Sequence, residues 1–473
     1  KTLAKAIREY KLPSILTLIF IMCEVLIEVY IPFITADLVN SIKASAPIES
    51  VIETGLYLVL MAVISLCCGG IAAITCAKAS AGFAKNLRHD MFSKIQGYSF
   101  SNIDKFSSTS LVTRLTTDVT NIQNSYQMIL RMCMRAPATL ICAMILSFTI
   151  SPQLASIYVA AVALLGIVII ILINKAMKYF QAAFKKYDEL NESVQENVSA
   201  IRVVKAYVRA DHEKSRFNKA SQNIYNMFFK AESVVMWNAP LMQFTVYSCI
   251  LLISWFGAHL VVSGSLETGD LMALLTYCMN ILMSLMMLSM VFVMVSMSVA
   301  SAERICEVIN EESTLTNPKN PIYSVEDGSI RFDNVTFRYS STSETPVLDH
   351  ISLDIHSGET IGIIGGTGSS KSSFVNMISR LYDVDEGAVY VGGKDVREYD
   401  LETLRNEVAV VLQQNVLFSG SILENLRWGN KEATEEEMIQ DCMFLSRTQN
   451  GIITQFQFLT QMFHYILQRK GTE

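Results

Sequence analysis

The sequence contains little charge. Only 17% of its 473 residues are Asp, Glu, Lys or Arg, whereas 51% are hydrophobic, and the mean hydropathy is +0.34. Such values are high for a soluble protein and predict membrane-spanning segments. The formal net charge is −6, and no basic stripe is interleaved with aromatic residues. The sequence therefore lacks the electrostatic signature of a nucleic-acid-binding protein.

The sequence also lacks a cysteine pattern typical of disulfide frameworks or metal sites. It has ten cysteines, but most lie in apolar runs, where cysteine behaves as a small hydrophobic residue. No cleavable signal peptide is evident, because the first long apolar run is long enough for a full membrane span. The first residue is Lys1 and not methionine, so we expect the sequence to be a fragment of a longer chain.

Six apolar segments are long enough to cross a bilayer, since each has about 20 residues or more. Short, non-basic connections alternate with long, basic ones. The positive-inside rule therefore predicts that the N-terminus, both long connections and everything after the last span are cytoplasmic. Helical spacing of apolar residues in the second long connection predicts that the spans continue as helical stalks. The six predicted spans lie near 14–41, 55–80, 128–150, 154–176, 239–262 and 271–298.

Two carboxylates, Glu24 and Glu28, lie inside the first predicted span. Their i, i+4 spacing places them on one helix face, and charge within a bilayer is costly unless it is paired or faces water. Two interpretations remain open. The pair contacts a cationic or polar substrate, or it lies near the membrane interface and makes interhelical hydrogen bonds.

A glycine-rich stretch joins a predicted strand, 360–364, to a predicted helix that continues through 373–378. Strand, glycine-rich turn, Lys-Ser and helix form the layout of a phosphate-binding loop, in which backbone N–H groups and a helix N-terminus surround phosphate oxygens. Lys371 would reach the outer phosphates, and Ser372 would offer its hydroxyl to Mg²⁺. The usual pattern has glycine at position 370, where this chain has serine. The stretch reads Gly365-Gly366-Thr367-Gly368-Ser369-Ser370-Lys371-Ser372.

The composition changes after about residue 304, and the remaining sequence predicts an α/β nucleotide-binding layout joined to an antiparallel β part. We expect three segments: a membrane domain with six spans and stalk helices over 1–308, a linker over 309–328, and an incomplete nucleotide-binding domain over 329–473. A helix is predicted at about 371–381. Strands are predicted at 329–337, 346–355, 359–364, 387–391 and 407–412.

Six stretches carry a resemblance to a known family. They are 111–118 (LVTRLTTD), 196–207 (ENVSAIRVVKAY), 301–305 (SAERI), 335–339 (VTFRY), the phosphate loop, and 411–422 (VLQQNVLFSGSI). In this order they resemble an ATP-binding-cassette (ABC) exporter of the multidrug type, a half-transporter with its membrane domain ahead of its cassette. The resemblance extends from about residue 10 to 435. It implies an α-helical six-span transmembrane domain of the type IV exporter class, followed by a partial α/β P-loop cassette.

The resemblance also implies roles for individual residues, with ATP and Mg²⁺ as cofactors. Tyr339 matches the aromatic residue that stacks on adenine. Gln413 matches the glutamine that touches Mg²⁺ and the attacking water, so it is the predicted catalytic residue and, with Ser372, a predicted Mg²⁺ ligand. The segments near 110–118 and 208–216 match the coupling helices that dock on cassettes. The other predicted nucleotide contacts are Gly365, Gly366, Thr367, Gly368, Ser369, Ser370, Lys371 and Ser373.

Two departures from the family pattern differ in weight. If Ser370 needs a backbone conformation suited to glycine, its Cβ costs about 1–3 kcal/mol, which would lower ATP affinity about ten- to a hundredfold. After about Asp441 the resemblance ends: no LSGGQ-like signature, no acidic strand end and no switch histidine follow, and His464 has no such context. Those parts contact the γ-phosphate in trans and polarise water. We therefore expect a truncation or a reading-frame error and an incomplete hydrolytic site.

The function that these features predict is ATP-driven export of an amphipathic, drug-like or lipid-like substrate. The protein would work as half of a dimer in the bacterial plasma membrane, with a different half-transporter favoured over an identical one as partner. The alternative is a non-hydrolysing structural or regulatory half of a heterodimer. A more distant alternative is a channel or membrane receptor with an appended nucleotide sensor.

Overall fold

The computed structural model describes residues 2–339, 345–410, 418–428, 430 and 432–440. The chain divides into two compact units, residues 1–314 and 315–473. In its described part, the first unit is entirely helical, and the second contains a small antiparallel sheet with short helices. The boundary falls within the predicted linker, so the linker's first residues belong to the first unit and its later residues to the second.

The first unit opens with a short 3-10 helix, Leu3–Tyr10, which is followed by ten α-helices in its described residues. A π-helical turn, Arg114–Asp118, joins α4 to α5. Among the described residues, six helical segments are long and apolar enough to cross a membrane, which confirms the six predicted spans. The α-helices are α1 (Lys11–Lys43), α2 (Ile48–Gln96), α3 (Phe100–Phe106), α4 (Ser108–Thr113), α5 (Val119–Ile150), α6 (Pro152–Ser199), α7 (Ile201–Ala206), α8 (Ala210–Met236), α9 (Asn238–Val262) and α10 (Thr268–Asn310).

The core of this bundle lies between α1, α5, α6, α9 and α10. On α1 the fully buried residues Ile21, Val25 and Val29 recur every four residues, so one face of the helix packs inward. Buried tyrosine hydroxyls tie the helices together, because Tyr277 donates to the carbonyl oxygen of Val29 at 2.9 Å and Tyr158 donates to that of Leu274 at 2.7 Å. Each polar tip thereby gains the partner that burial demands.

Helices α2 and α6 are much longer than a bilayer requires. They contain 49 and 48 residues, which corresponds to about 70 Å at 1.5 Å per residue. The hydrocarbon core of a bilayer is only about 30 Å thick. The predicted stalks are therefore present as continuations of the spans, and α8 continues into the α9 span in the same way.

The second unit contains a four-stranded sheet with the order β2-β1-β3-β4, in which every pairing is antiparallel. Its core includes the stacked rings of Phe332 and Phe374, whose centroids are 4.1 Å apart, beside the buried Val389 and Tyr399. The predicted antiparallel part and the helix at 371 are thus confirmed. The strands are β1 (Ile330–Phe337), β2 (Leu348–Ile355), β3 (Glu386–Val391) and β4 (Lys394–Asp395), and the described helices are α11 (Lys371–Ile378), α12 (Leu401–Glu407) and α13 (Ile422–Leu426).

Two of the predicted strands are not borne out by the described residues. The prediction for 359–364 is wrong, because a strand requires a backbone partner and no described segment pairs with this run. Its apolar side chains Ile361, Ile363 and Ile364 are exposed as a result. The prediction at 407–412 begins on the last residue of α12, residues 408–410 form no strand, and residues 411–412 lie outside the described part.

Candidate functional site

The glycine-rich turn leads directly into α11, as the sequence predicts. Lys371 is the first residue of this helix and Ser370 is its N-cap, with φ 63° and ψ 17°. Gly368 also has a positive φ of 83°. Glycine adopts this left-handed region at little cost, whereas a side chain adds about 1–2 kcal/mol. Ser370 therefore occupies the kind of conformation on which the predicted weakening of nucleotide binding depends.

The Lys371 side chain lies back over the turn. Its ammonium nitrogen donates to the carbonyl oxygens of Gly365 at 2.9 Å and Gly366 at 2.7 Å, and it lies 3.2 Å from the hydroxyl of Ser369. A positive charge is therefore held at the centre of the loop by oxygens of the loop itself. Any anion in the loop would meet this ammonium directly, without rearrangement of a distant side chain.

The backbone at Gly366 and Gly368 is open to an approaching phosphate, whereas the Ser369 hydroxyl covers Gly365. An ideal Cβ built on Gly366 or Gly368 meets no atom within 4 Å. The N-terminus of α11 adds partial positive charge at the same place. The residues present therefore fit a phosphate group, with Lys371 as the cation and the amides of the turn as donors.

Tyr339 lies beside the start of α11. Its hydroxyl is 2.8 Å from the hydroxyl of Ser373, so one donates to the other. The rings of Phe337 and Tyr382 contact it nearly at right angles, with centroids 4.9 and 5.2 Å away. The Tyr339 side chain is nevertheless 47% exposed. A ring held in this way and still exposed suits stacking on a flat heteroaromatic ring. Ser373, one of the predicted nucleotide contacts, therefore already shares a hydrogen bond with Tyr339.

Of the two predicted magnesium ligands, the structure describes Ser372 but not Gln413. Ser372 is exposed on the first turn of α11, while Gln413 lies outside the described residues. The described part of the chain contains no cluster of three or more His, Cys, Asp or Glu residues able to hold a metal. The predicted magnesium ligands therefore stay Ser372, which the structure places, and Gln413, which it does not describe.

The segments predicted as coupling helices differ in local structure. Residues 110–118 cover the end of α4 and the π-helical turn, whereas 208–216 cover the end of a turn and the first residues of α8.

The sequence interpretation missed the partner of Glu24 and Glu28. Arg135 on α5 donates to the Glu24 carboxylate at 2.7 Å and to the Glu28 carboxylate at 2.6 Å. The two glutamates thus make interhelical hydrogen bonds, as the second interpretation expects, while their position relative to the membrane interface stays a prediction. An arginine within an otherwise apolar span was the available signal, because such a charge requires a partner.

Comparisons with known proteins agree with this architecture. The family described as the ABC transporter transmembrane region matches residues 14–299, and the family described as ABC transporter matches residues 348–461. The second match extends past about residue 441, beyond which no further family motif is recognised in the sequence, and the boundaries of the cassette stay a prediction.

Several bacterial proteins are similar to most of the chain. The ABC transporter ATP-binding protein YfiB of Bacillus subtilis is 32% identical over 94% of this chain and 78% of its own length. YknU of the same organism is 30% identical over 75% of this chain and 60% of its own length. A fatty acid ABC transporter ATP-binding/permease protein of Mycobacterium bovis is 27% identical over 75% of this chain and 56% of its own length. The chain therefore belongs to the ABC transporter family, with its membrane domain placed ahead of an ATP-binding domain.

Proposed function

We propose that this chain is half of a dimeric exporter that uses ATP to move an amphipathic, drug-like or lipid-like molecule across the bacterial plasma membrane. The observation that carries the proposal is the turn over 365–370, open at Gly366 and Gly368, with the Lys371 ammonium over it and α11 behind it. The same chain has six described helices that are long and apolar enough to cross a membrane. A phosphate-binding turn joined to a membrane bundle is the arrangement that couples nucleotide chemistry to transport.

In the proposed site, Lys371 and the turn amides hold the phosphates, Ser372 contacts Mg²⁺, and Tyr339 stacks on the base. Gln413 contacts Mg²⁺ and the attacking water and is the proposed catalytic residue. The bound Mg²⁺ would neutralise charge that develops on the phosphate oxygens. Two cassettes close on nucleotide, the stalk helices α2, α6 and α8 follow, and the spans change from inward to outward facing.

The orientation and the cargo rest on separate support. Basic residues in the long connections favour a cytoplasmic location for the stalks, the N-terminus and the ATP-binding domain. The fatty acid transporter among the similar proteins supports a lipid-like cargo. A heterodimer is favoured over a homodimer, since a degenerate phosphate loop suits one member of an unequal pair.

The alternative function is a non-hydrolysing half of a heterodimer, and Ser370 favours it. Its left-handed φ of 63° adds about 1–2 kcal/mol of strain to the nucleotide-binding turn. In this alternative the partner carries the hydrolytic chemistry, and this chain supplies half of the pathway.

Photolabelling of the purified protein in lipid nanodiscs with an azido-ATP analogue tests the nucleotide site. We expect the parent protein to be labelled and Lys371→Ala to lose labelling. Ser370→Gly should raise the affinity about tenfold, because relief of about 1.4 kcal/mol corresponds to a factor of ten. Ser45→Gly is the matched control, because Ser45 also has a positive φ, 58°, but lies in the connection between α1 and α2 and not in the phosphate loop. Absence of labelling in the parent at saturating nucleotide would refute the ATP-driven function for this chain.

Reconstitution into proteoliposomes tests transport. ATP-dependent uptake of a fluorescent fatty acid should require Lys371, and ATP hydrolysis should rise with cargo. Uptake that survives Lys371→Ala would instead indicate a channel with an appended nucleotide sensor. Nucleotide binding without hydrolysis, together with uptake only in the presence of a second half-transporter, would indicate the non-hydrolysing alternative.

A further inference from the structure

The end of α10 is bonded to the first connecting loop, which we define as residues 97–118. Asp118 is 1% exposed and accepts hydrogen bonds from the guanidinium Nε of Arg304 at 2.7 Å and the hydroxyl of Ser301 at 2.9 Å. Arg114 donates to the carbonyl oxygen of Arg304 at 2.9 Å and to the Glu307 carboxylate at 2.8 Å. Both Arg114 and Asp118 belong to the π-helical turn, which brings them to the same side of the loop. The end of α10 is therefore fixed to this loop at several points.

The same loop also holds the first residues of the linker. The Glu311 carboxylate accepts from Lys105 at 2.8 Å and from the amide of Asn102 at 2.9 Å. The backbone N–H of Thr314 donates to the side-chain oxygen of Asn102 at 3.2 Å. The Thr314 hydroxyl also lies 2.6 Å from that of Ser99. Thr314, the last residue of the first unit, is thus anchored in the first connecting loop.

The second unit holds the next part of the linker in a similar way. The side-chain oxygen of Asn317 accepts from the backbone N–H of Leu401 at 3.0 Å, and its amide donates to Asp400. Further along, Ile322 forms a parallel bridge with Tyr399, and its carbonyl oxygen accepts from the Asp400 N–H at 3.0 Å. The linker from Asn317 onward is therefore attached to the start of α12 and the residues before it.

Only Leu315 and Thr316 separate the two anchors. Three Cα–Cα steps span at most about 11 Å even when fully extended, so this connection contains almost no slack. We propose that the linker is a taut strap, anchored through Asn102, Glu311 and Thr314 on one side and Asn317 on the other. Cassette motion is thereby delivered to the first connecting loop of the same chain. The transport role of the strap rests on the function proposed above, but its lack of slack does not.

Inserted chain length tests the strap directly. Eight Gly/Ser residues between Thr314 and Leu315 add about 16 Å of root-mean-square reach between the anchors. The same eight residues between Lys319 and Asn320 are the matched control. They lengthen the linker equally but fall outside the short connection between Thr314 and Asn317. The rest of the chain is unchanged in both variants.

The first measurement is the rotational freedom of the cassette in nanodiscs without nucleotide. A fluorescent dye is attached through an encoded azido residue at position 394, which is exposed on β4. We expect the insertion after Thr314 to raise the amplitude of fast anisotropy decay, and the insertion after Lys319 to leave it at the parent value. Equal decay in all three proteins, or equal loosening by both insertions, would overturn the strap.

The second measurement is the number of cargo molecules exported per ATP hydrolysed in proteoliposomes. The insertion after Thr314 should lower this ratio while hydrolysis continues, and the control insertion should preserve it. An unchanged ratio in both variants would refute the role in coupling. A parent protein that exports nothing with ATP would refute the proposed function, whereas the anisotropy comparison would still decide whether the linker is taut.

Substitution of the anchor provides a test that adds no chain length. Glu311→Gln combined with Asn102→Ala should reproduce the faster anisotropy decay, since both side chains hold the start of the linker. Arg8→Gln is the control, because it removes a 2.7 Å ion pair with Asp90 on α2 that touches neither α10 nor the linker. A similar effect of Arg8→Gln would show that the cassette responds to any loosening of the bundle, and the strap would be rejected.

Discussion

The two long connections of the membrane unit are built in opposite ways. The first connecting loop is bonded within its own chain, and Phe106, Leu111 and Asp118 are buried in it. The second connecting loop, residues 200–209, contains α7, which has no buried residue. At its tip the side chains of Tyr207 and Val208 are 75% and 86% exposed.

This difference indicates where each loop finds its partners. The first connecting loop pairs Lys105, Arg114 and Asp118 with α10 and the linker, and its buried Phe106 and Leu111 belong to a core cluster within the same unit. The second presents apolar side chains to solvent, which is costly for a loop outside the bilayer unless another surface covers them. A cavity of about 480 Å³ beside it, lined by Val194, Ile201 and Phe217 among others, adds to this uncovered surface. We infer that the partner of the second loop comes from outside the unit.

The largest effect is expected from removal of the buried carboxylate in the first connecting loop. Asp118→Ala removes the buried acceptor of Arg304 and Ser301, at a cost of about 2 kcal/mol; the cost is not larger because the Arg304 side chain is 48% exposed and regains water. Native-state proteolysis within 97–118 should accelerate about thirtyfold, since each 1.4 kcal/mol corresponds to a factor of ten. The measurement is the cleavage rate of the protein in nanodiscs at a protease concentration low enough that the loop opens and recloses many times before it is cut.

Asp211→Ala, in the first turn of α8 directly after the second connecting loop, is the matched control. Asp211 is 99% exposed and pairs with Lys214 at 3.4 Å, and such exposed pairs contribute less than about 1 kcal/mol. Cleavage near 200–216 should therefore change little. Comparable acceleration by the two variants would remove the distinction between a bonded and an open loop.

A smaller effect is expected from substitution by glycine at the residue with a left-handed backbone conformation in each connecting loop, Ser107 in the first and Val208 in the second. Val208 has φ 54°, which is strained for a β-branched residue. Val208→Gly should slow hydrogen exchange in α7, with a local gain of about 1 kcal/mol after the entropy cost of glycine. Ser107 has φ 57°, but its hydroxyl also caps α4 by accepting from the Ser110 N–H. Ser107→Gly should therefore be nearly neutral, because relief of strain is offset by loss of the cap. Equal gains at both sites would contradict this account.

Local patterns explain why much of the fold could be predicted from the sequence. Hydropathy located the spans because each must be long and apolar by itself, and the period-two alternation of residues 329–337 located β1. The run at 359–364 was misassigned because its pattern is local, whereas a strand also depends on a distant partner. Arg135 with Glu24, and Asp118 with Arg304, are pairs that meet only in the folded bundle, and no sequence spacing encodes them. The phosphate loop was recognised because its residues are contiguous.

A pH-dependent effect is expected at the anchor between the linker and the first connecting loop. A hydrogen bond from Lys105, with a further one from Asn102, lowers the pKa of Glu311 below its ordinary 4.5. The anchor is therefore fully formed above pH 4.5 and is lost as the pH falls through the lowered pKa. Hydrogen exchange at residues 311–314 should accelerate below that pH in the parent. In Glu311→Gln it should be independent of this titration, and a matching acid transition in that variant would assign the effect elsewhere.

The smallest effect on the unit itself is expected from Tyr207→Ala at the open tip. A side chain that is 75% exposed loses little on truncation, so the free energy of unfolding should change by less than about 0.5 kcal/mol. Assembly should respond differently, because an exposed aromatic ring that is covered by a partner often contributes 2 kcal/mol or more to binding. The measurement is the dissociation constant of the dimer in nanodiscs or detergent, compared with the melting temperature of the same sample. Lys205→Ala on α7 controls for altered helix charge. If Tyr207→Ala lowers the free energy of unfolding as much as the free energy of dimer dissociation, the Tyr207 side chain packs within its own chain. The contrast between the two connecting loops then disappears.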